Sequence, residues 1–374
     1  MTTNAHYPVI ITGGGPAGLA SAYWLKTAGI SFAILEKSVV GASWKNHYDN
    51  LTLHTLKEVS VLPGRPMPAH YPAFVPKDQV AAYLDAYAQH FDFPIFENQK
   101  VVGIEDNGYR WDIQTESSRF TTEQLILTTG IWSNPFTPSF KEMARFKGEI
   151  SHAASYKNSR PFAGERVLVV GGGNSATEIA VEVSRVADHT AILIRDGTSF
   201  VPYPKTARSV KIAAALFRVL PGGISHRLLA SSRPDFSHIG IYPPPRPLTE
   251  VYPVVGFECP EAIERGEIEL ITTPIDRFEK DGVWFDNKTC KPFTRVIMAT
   301  GYRPAVDFAA SYFEYTKDGK LILDRQNRST KHARLYAAGY DYPNTEGWFQ
   351  SIPRVSKTTA DAVIKALNPT SNLF

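Results

Sequence analysis

Two stretches of the sequence carry the same pattern of glycines. The first is Gly13-x-Gly15-x-x-Gly18 and the second is Gly171-x-Gly173-x-x-Ala176. A short apolar, β-branched run precedes each turn, and apolar residues at helical spacing follow it. In such a turn the first glycine permits the bend, the second admits a pyrophosphate, and the third small residue lets helix and strand pack closely. Two dinucleotide sites are therefore predicted.

The residue after the next strand distinguishes the two sites. Glu36 lies eighteen residues past Gly18, where its carboxylate can accept hydrogen bonds from ribose hydroxyls and would repel a 2′-phosphate. Arg195 lies nineteen residues past Ala176, where its guanidinium can pair with a 2′-phosphate. We therefore expect a nucleotide without a 2′-phosphate, as FAD is, at the first site and NADPH at the second. NADH stays open, because the neighbouring Asp196 can contact an unphosphorylated ribose instead.

Each turn opens a βαβ unit, so the chain starts the same α/β fold twice. We predict strands near residues 31–35, 100–104, 111–115 and 124–128, and a helix over 77–90. The predicted fold is α/β, with two dinucleotide-binding (Rossmann-like) domains of three-layer ββα character, one inserted in the other. The expected FAD-binding domain covers 1–155 and 295–374, and the expected NAD(P)H-binding domain covers 156–294 with an irregular insertion at about 203–255.

Composition excludes several other classes. The formal charge of +3 is too near balance to indicate a nucleic-acid partner, although the stretch from Lys205 to Arg233 holds six basic residues and no carboxylate. Cys259 and Cys290 are thirty-one residues apart and form no C-x-x-C, and no histidine pattern has metal-ligand spacing. No segment approaches the roughly 18 apolar residues of a membrane span. We expect a cytoplasmic protein without metal or transmembrane segment.

The segment between the two sites carries a further motif, Phe146-x-Gly148-x-x-x-His152-x-x-x-Tyr156. Its spacing resembles the fingerprint of class B flavin-dependent monooxygenases, especially flavin-containing monooxygenases of the YUCCA type and related bacterial proteins. The likeness spans nearly the whole chain. The related Baeyer–Villiger enzymes end this motif with Trp followed by Pro or Asp. Here Lys157 follows Tyr156, so we rank the Baeyer–Villiger subclass below the flavin-containing monooxygenases.

The resemblance also implies site residues. It places Asn174 and Ser175 close to the nicotinamide and flavin, and His54 where many members have an asparagine that holds the reactive intermediate; a core or surface histidine is the alternative for His54. These three are the predicted catalytic residues. The predicted cofactor-binding residues are Gly13, Gly15, Pro16, Ala17, Gly18, Glu36, Lys37, Ser43, Trp44, His54, Val102, Thr129, Gly130, Gly171, Gly173, Asn174, Ser175, Ala176, Arg195, Thr300, Gly301, Tyr302 and Gln350.

The resemblance implies a monooxygenase in which NADPH reduces FAD, the reduced flavin takes up oxygen, and a flavin C4a-hydroperoxide oxygenates a small organic substrate. That substrate is either a soft nucleophile, oxygenated at nitrogen or sulfur, or a 2-oxo acid that loses carbon dioxide. An NAD(P)H-dependent flavin reductase or oxidase without oxygen insertion is the alternative, and a regulatory subunit that binds FAD for structure is a third. The expected partners are oxygen and the substrate, with a homodimer left open.

Overall fold

A computed structural model of the chain describes residues 4–208, 210, 212, 233–245, 252–341 and 348–368. Most of the insertion expected at 203–255, with part of its basic stretch, lies outside these residues. The helices are α1 (Pro16–Thr27), α2 (Ala42–Lys45), α3 (Lys77–His90), α4 (Asn174–Ser184), α5 (Glu258–Glu264) and α6 (Trp348–Leu367).

The strands follow the chain in this order: β1 (Asn4–Thr12), β2 (Phe32–Leu35), β3 (Ile95–Phe96), β4 (Val101–Asp106), β5 (Trp111–Thr115), β6 (Arg119–Leu127), β7 (Asn134–Pro135), β8 (Glu149–His152), β9 (Arg166–Val170), β10 (His189–Leu193), β11 (Phe200–Val201), β12 (Val254–Val255), β13 (Glu269–Ile271), β14 (Ile275–Glu279), β15 (Gly282–Phe285), β16 (Cys290–Lys291), β17 (Arg295–Met298), β18 (Tyr302–Arg303), β19 (Glu314–Tyr315), β20 (Leu321–Ile322) and β21 (Leu335–Ala337).

The first sheet has the order β3-β2-β1-β6-β5-β4, with β21 paired to β6. Strand β6 runs parallel to β1 along its whole length, and its other edge changes partner: the first half pairs antiparallel with β5, and the second half pairs parallel with β21. Helices α1, α3 and α6 bury their apolar residues on one face. Trp111 and Phe120 of the β4–β6 meander pack with Ile10 and Leu35 in the core of the opposite face. This is the predicted three-layer arrangement.

The second sheet is parallel throughout, in the order β13-β10-β9-β17-β8. Helices α4 and α5 pack on one face. The antiparallel strands β14–β16 cover the other, where Phe278 and Phe285 share a core with Leu168 and Val296. Two layers of β-structure and one of helices therefore occur twice in the chain.

The second sheet corrects the expected domain boundaries. The strands β8 and β17 were assigned to the FAD-binding domain by boundaries at residues 155 and 295, yet β17 lies between β9 and β8 in the second sheet. The reason is that a short apolar strand such as RVIM has the same pattern in either parallel sheet. Sequence order alone does not say which sheet it joins.

The two sheets are linked by a pair of short strands. In the chain, strand β7 comes after β6 of the first sheet, and β18 comes after β17 of the second. These two short strands pair antiparallel, with Tyr302 opposite Pro135. Phe136 N–H also donates to Gly301 O at 3.0 Å, and the Thr300 hydroxyl donates to Phe136 O at 2.6 Å. This link brings the carboxyl ends of β6 and β17 together. Among the helices of the described segments, none is long and apolar enough to cross a membrane.

Candidate active site

The first glycine turn joins β1 to α1 and shows both close packing and free space. A Cβ at Gly18 would lie 2.0 Å from Gly13 O, and one at Gly13 would lie 2.6 Å from Thr128 O, so neither position admits a side chain. A Cβ at Gly15 would meet no atom within 4 Å. Helix α1 begins at Pro16 without a side-chain cap, which leaves its first N–H groups for a ligand. The turn fits a pyrophosphate.

Glu36 stands beside this turn at the end of β2. Its Oε2 accepts the Gly14 N–H at 2.7 Å, and its Oε1 accepts the Ser38 N–H at 2.9 Å. Two backbone donors thus fix the carboxylate next to the space at the second glycine. A carboxylate oxygen has a further lone pair for a hydroxyl donor, so the residue fits the ribose of FAD.

The second glycine turn repeats this arrangement between β9 and α4. A Cβ at Gly171 would lie 2.3 Å from Ala299 O, whereas one at Gly173 would meet nothing within 4 Å. Ala176 is buried in the core beneath the turn. Helix α4 again starts without a side-chain cap, so the N–H groups of its first turn suit a phosphate.

Arg195 follows the end of β10, as the ribose-reading position requires. Its guanidinium is paired with Asp196, with Nε 3.0 Å from Oδ1 and Nη2 2.5 Å from Oδ2. Both side chains are more than half exposed. Asp196 is the residue that kept NADH as an alternative in the sequence. In the structure its carboxylate binds one edge of the Arg195 guanidinium.

A cavity of about 240 Å³ lies where the two units meet. Its wall is formed by residues 44–55, the beginning of α4, and the segment before β18. Of the predicted site residues, those that line it are Trp44, His54, Gly173, Asn174, Ser175, Ala176, Gly301 and Tyr302. The structure therefore brings all three predicted catalytic residues together.

A carboxylate that sequence reasoning missed supports this wall. Oε1 of Glu178 lies 2.6 Å from Nε2 of His54, and its Oε2 accepts a 2.7 Å hydrogen bond from the Tyr48 hydroxyl. Burial and the charge of Glu178 raise the pKa of Tyr48, while a hydrogen bond with Ser175 lowers it. Tyr48 is thus a neutral donor at pH 7. The sequence held one clue, because Glu178 follows Asn174 by one helical turn.

The side chain of Asn174 is committed to the protein. Its Nδ2 donates to Pro253 O at 3.1 Å, and its Oδ1 accepts the Val255 N–H at 2.9 Å. The amide therefore fastens the start of α4 to β12, the segment that also carries Tyr252 to the cavity. Asn174 positions the wall as well as lining it.

The motif of residues 146–156 joins the second sheet to the cavity. His152 Nδ1 accepts the Ala154 N–H at 3.0 Å, so its Nε2 carries the hydrogen and donates to Gly301 O at 3.0 Å. Burial lowers the pKa of His152, which keeps the ring neutral. Tyr156 is buried against Tyr48, with ring centroids 6.3 Å apart. The spacing of the motif thus places His152, which hydrogen-bonds to the Gly301 carbonyl, and Tyr156, which packs on Tyr48, at the cavity edge.

The other predicted residues lie outside the cavity wall. Lys37 and Ser43 are exposed, and Val102 is 46% exposed. The Thr129 hydroxyl contacts Ala305 O at 2.6 Å and the Tyr340 hydroxyl at 2.7 Å, and Gly130 has a left-handed φ of 88° in the same link. These roles toward a cofactor stay predictions.

Gln350 differs from these residues. Its Oε1 is buried and has no hydrogen-bond partner in the described part of the chain. It follows Phe349, which lines the cavity. An orphaned buried acceptor costs free energy unless a ligand supplies the donor, so Gln350 fits contact with a bound cofactor.

Two turns with dinucleotide-binding geometry, the second of which lines the cavity between the units, define a two-nucleotide oxidoreductase. Residues 10–214 match the family model described as pyridine nucleotide-disulphide oxidoreductase. The chain belongs to this family and, within it, to the flavin-dependent monooxygenases. Its two cysteines, thirty-one residues apart, do not provide the C-x-x-C dithiol of a thioredoxin-reductase-type enzyme.

The relatives are similar over nearly their full length. The probable indole-3-pyruvate monooxygenase YUCCA10 of Arabidopsis thaliana is 31% identical, over 91% of this chain and 93% of its own. The uncharacterized oxidoreductase CzcO of Bacillus subtilis is 30% identical, over 97% and 99%. The flavin-containing monooxygenase of Stenotrophomonas maltophilia superposes with a TM-score of 0.76 at 25% identity, over 97% and 99%. The protein is thus an FAD-dependent monooxygenase that consumes NADPH and acts on a small organic substrate.

Proposed function

We propose that this monooxygenase converts an aromatic 2-oxo acid of the indole-pyruvate type to the acid one carbon shorter. The observation that carries the proposal is the aromatic wall of the cavity, to which Trp44, Trp132, Tyr252, Tyr302 and Phe349 contribute. Flat aromatic surfaces favour a flat aromatic substrate beside the cofactor rings. The indole-3-pyruvate monooxygenases among the relatives, at about 30% identity over nine-tenths of the chain, support the same substrate class.

The charge of the wall favours a second candidate, the oxygenation of a neutral sulfide or amine. Among the described residues that line the cavity, none is Lys or Arg to pair with a carboxylate. Burial, with the charges of Lys157 and Lys77, lowers the pKa of His47 to about 4, so this ring of the wall is neutral at pH 7. A soft neutral nucleophile needs no cationic partner.

The proposed division of labour follows the two glycine turns. We assign FAD to the turn at residues 13–18 with Glu36, and NADPH to the turn at 171–176 with Arg195. The unit of the first sheet is the proposed FAD domain, and the unit of the second sheet, with β8 and β17, is the proposed NADPH domain. When bound, FAD supplies the oxygen-activating chemistry and NADPH the hydride.

The chain's own residues then have to hold and enclose these groups. Ser175, Tyr48 and His54 provide polar groups in the cavity wall, where Tyr48 is fixed by Glu178. Aromatic side chains such as Trp44 exclude water from the same space. Polar groups set in an apolar wall suit a reaction in which the activated oxygen has to reach the substrate and must not be released as hydrogen peroxide.

The proposal is tested by product analysis under ¹⁸O₂ with purified FAD-loaded protein and NADPH. With indole-3-pyruvate we expect one labelled oxygen atom in the shortened acid, the other in water, and one carbon dioxide and one NADP⁺ per turnover. Methyl phenyl sulfide serves as the comparison substrate. Labelled sulfoxide with no shortened acid would select the second candidate, and stoichiometric hydrogen peroxide with neither product would select an oxidase.

The finer predictions on environment and assembly belong with this proposal. We propose a cytoplasmic protein, because Cys259 is buried, Cys290 is exposed and both are free thiols. Among the described residues, no interface residue supports the homodimer that the sequence left open. Light scattering of the eluting protein distinguishes a monomer of 41.5 kDa from a dimer.

A further inference from the structure

We propose that Glu178 is a positioning residue whose carboxylate selects the ring tautomer of His54 in the cavity wall. The contact joins helix α4, which begins at the second glycine turn, to the 44–55 segment that follows the first. It is therefore made between the two nucleotide-binding units. The inference deepens the proposed function and rests on it only for the readout of oxygenation.

A hydrogen bond from Tyr48 holds the carboxylate in place. Its second oxygen accepts the Tyr48 hydroxyl, and Tyr48 is buried, with only 4% of its surface exposed. Glu178 cannot turn away from His54 without giving up this bond. His54 and Glu178 side chains are 15% and 29% exposed, so water competes weakly for either group. Oε1 of Glu178 is buried and makes no hydrogen bond of regular geometry in the described part of the chain, although Nε2 of His54 lies 2.6 Å away. A buried acceptor needs a donor, and a charge-assisted hydrogen bond from this ring nitrogen would be strong in such surroundings.

The chemistry of the ring follows from this contact. A neutral imidazole has one nitrogen that donates and one that accepts, and an ionised carboxylate can only accept. In the proposed pair, Nε2 of His54 carries the hydrogen that the unpartnered Oε1 of Glu178 accepts, and Nδ1 is left as an acceptor in the cavity wall. Without Glu178 the ring loses the partner that fixes both its tautomer and its orientation. Without this partner, the cavity wall holds the reacting groups less well, and the enzyme releases more hydrogen peroxide.

The test measures the tautomer of His54 by ¹⁵N NMR of the FAD-loaded protein before any NADPH is added. The His54 signals among the ten histidines are assigned by their loss in His54→Asn. Glu178→Leu keeps the volume but removes the acceptor, and we expect the tautomer ratio to shift about tenfold or more, the scale of one lost charge-assisted hydrogen bond. Glu178→Gln keeps one acceptor oxygen and should lie nearer the wild type. Unchanged His54 signals in Glu178→Leu would overturn the proposal.

The second readout is the yield of oxygenated product per NADPH consumed. We expect a fall of about tenfold in Glu178→Leu and recovery in Glu178→Gln, with the KM for NADPH changed by less than about threefold, because the nucleotide contacts stay in place. A tautomer shift without loss of yield would refute the positioning role. Wild-type protein that made no oxygenated product would refute the proposed function, while the NMR result would still decide the role of Glu178.

The chain offers a matched control in the same unit. Nε2 of His189 lies 3.0 Å from Oε2 of Glu269, at 28% and 32% exposure, and neither residue lines the cavity. Glu269→Leu should shift the signals of His189 and leave those of His54 and the product yield unchanged. An equal loss of yield in this control would show that any broken histidine–carboxylate pair has the effect, and would overturn the assignment to Glu178. If Glu178→Leu fails to retain FAD, Tyr48→Phe, which removes the hydrogen bond that holds the carboxylate, should shift the His54 ratio in the same direction by a smaller amount.

Discussion

Arg195 is the residue on which the choice between NADPH and NADH is expected to depend. Asp196 engages Nε and Nη2 of its guanidinium, which leaves further N–H groups free to approach a 2′-phosphate. We predict that Arg195→Ala raises the KM for NADPH about tenfold or more, since a charge-assisted hydrogen bond contributes roughly 1.5–3 kcal/mol. The KM for NADH should change little. Initial-rate kinetics with both nucleotides measure the effect.

Asp196 provides the opposite substitution. Its carboxylate competes with a 2′-phosphate for the guanidinium and repels the phosphate, so Asp196→Asn should increase the ratio of kcat/KM for NADPH over NADH. Arg195→Ala with an unchanged ratio would contradict the prediction. It would move phosphate recognition to the basic stretch between residues 205 and 233, which is largely outside the described structure.

At the residue scale, motif and resemblance selected residues that share one cavity wall, while their catalytic roles stay predictions. His54, Asn174 and Ser175 were selected by resemblance, and the structure places them in one wall. Glu178 was not selected, because its partner His54 is more than one hundred positions away and no spacing rule relates the two. The hydrogen bond from Asn174 to Pro253 O could not be predicted either, because the segment around Pro253 is irregular.

At the element scale, Gly148 controls how closely the segment before β8 approaches β17. A Cβ there would lie 2.3 Å from Thr294 O and 2.5 Å from the Phe146 ring. We predict that Gly148→Ala lowers the free energy of unfolding by about 1–3 kcal/mol, as overpacking does. Urea unfolding followed by circular dichroism measures the change.

A glycine with open surroundings serves as the control for this substitution. Gly103 lies within β4, and a Cβ there would meet nothing within 4 Å. Gly103→Ala should leave the free energy of unfolding nearly unchanged or slightly higher, because alanine restricts the unfolded chain more than glycine does. Equal losses in both variants would mean that the loss in Gly148→Ala does not come from the close approach to Thr294 O and Phe146.

The elements themselves were predictable to different degrees. The helix expected over 77–90 is confirmed at Lys77–His90, because its apolar residues recur at helical spacing and bury one face. The strands at 111–115 and 124–128 also occur, the latter as the end of β6. Strands β8 and β17 lie in the second sheet, although the expected boundaries put their residues in the FAD-binding domain. Local pattern fixes the type of an element, whereas its partner depends on long-range packing that the pattern does not encode.

At the scale of the whole molecule, contacts between distant parts of the sequence hold each unit closed. Strand β21 returns to the first sheet beside β6, more than two hundred residues later in the chain. Next to it, Trp111 Nε1 donates to Arg334 O at 3.1 Å. Asp106, at the end of β4, binds both His332 and Arg334. Asp106 is therefore one of several links between the meander and the returning C-terminal segment.

This carboxylate makes the stability of the fold depend on acid. Burial opposes ionisation of Asp106, but hydrogen bonds from His332 and the Gly108 N–H, with the charge of Arg334, lower its pKa overall. A carboxyl with a lowered folded-state pKa stabilises the protein above its unfolded pKa, about 4, and this contribution is lost as the pH falls through the folded-state value. We predict that Asp106→Asn costs about 1–3 kcal/mol of unfolding free energy at pH 7, and that the gap to wild type narrows below pH 4.

Urea unfolding of both proteins across this pH range tests the prediction against an exposed ion pair. Lys100 and Glu116 lie 2.8 Å apart with both side chains more than half exposed, so Glu116→Gln should change stability by less than about 1 kcal/mol at pH 7. The difference between wild type and Asp106→Asn cancels the titration of the other carboxyl groups. A gap that stayed constant from pH 7 to pH 3 would mean that Asp106 acts through hydrogen bonds that its protonated form also makes. The closure of the C-terminal segment onto the meander would then be independent of the charge at residue 106.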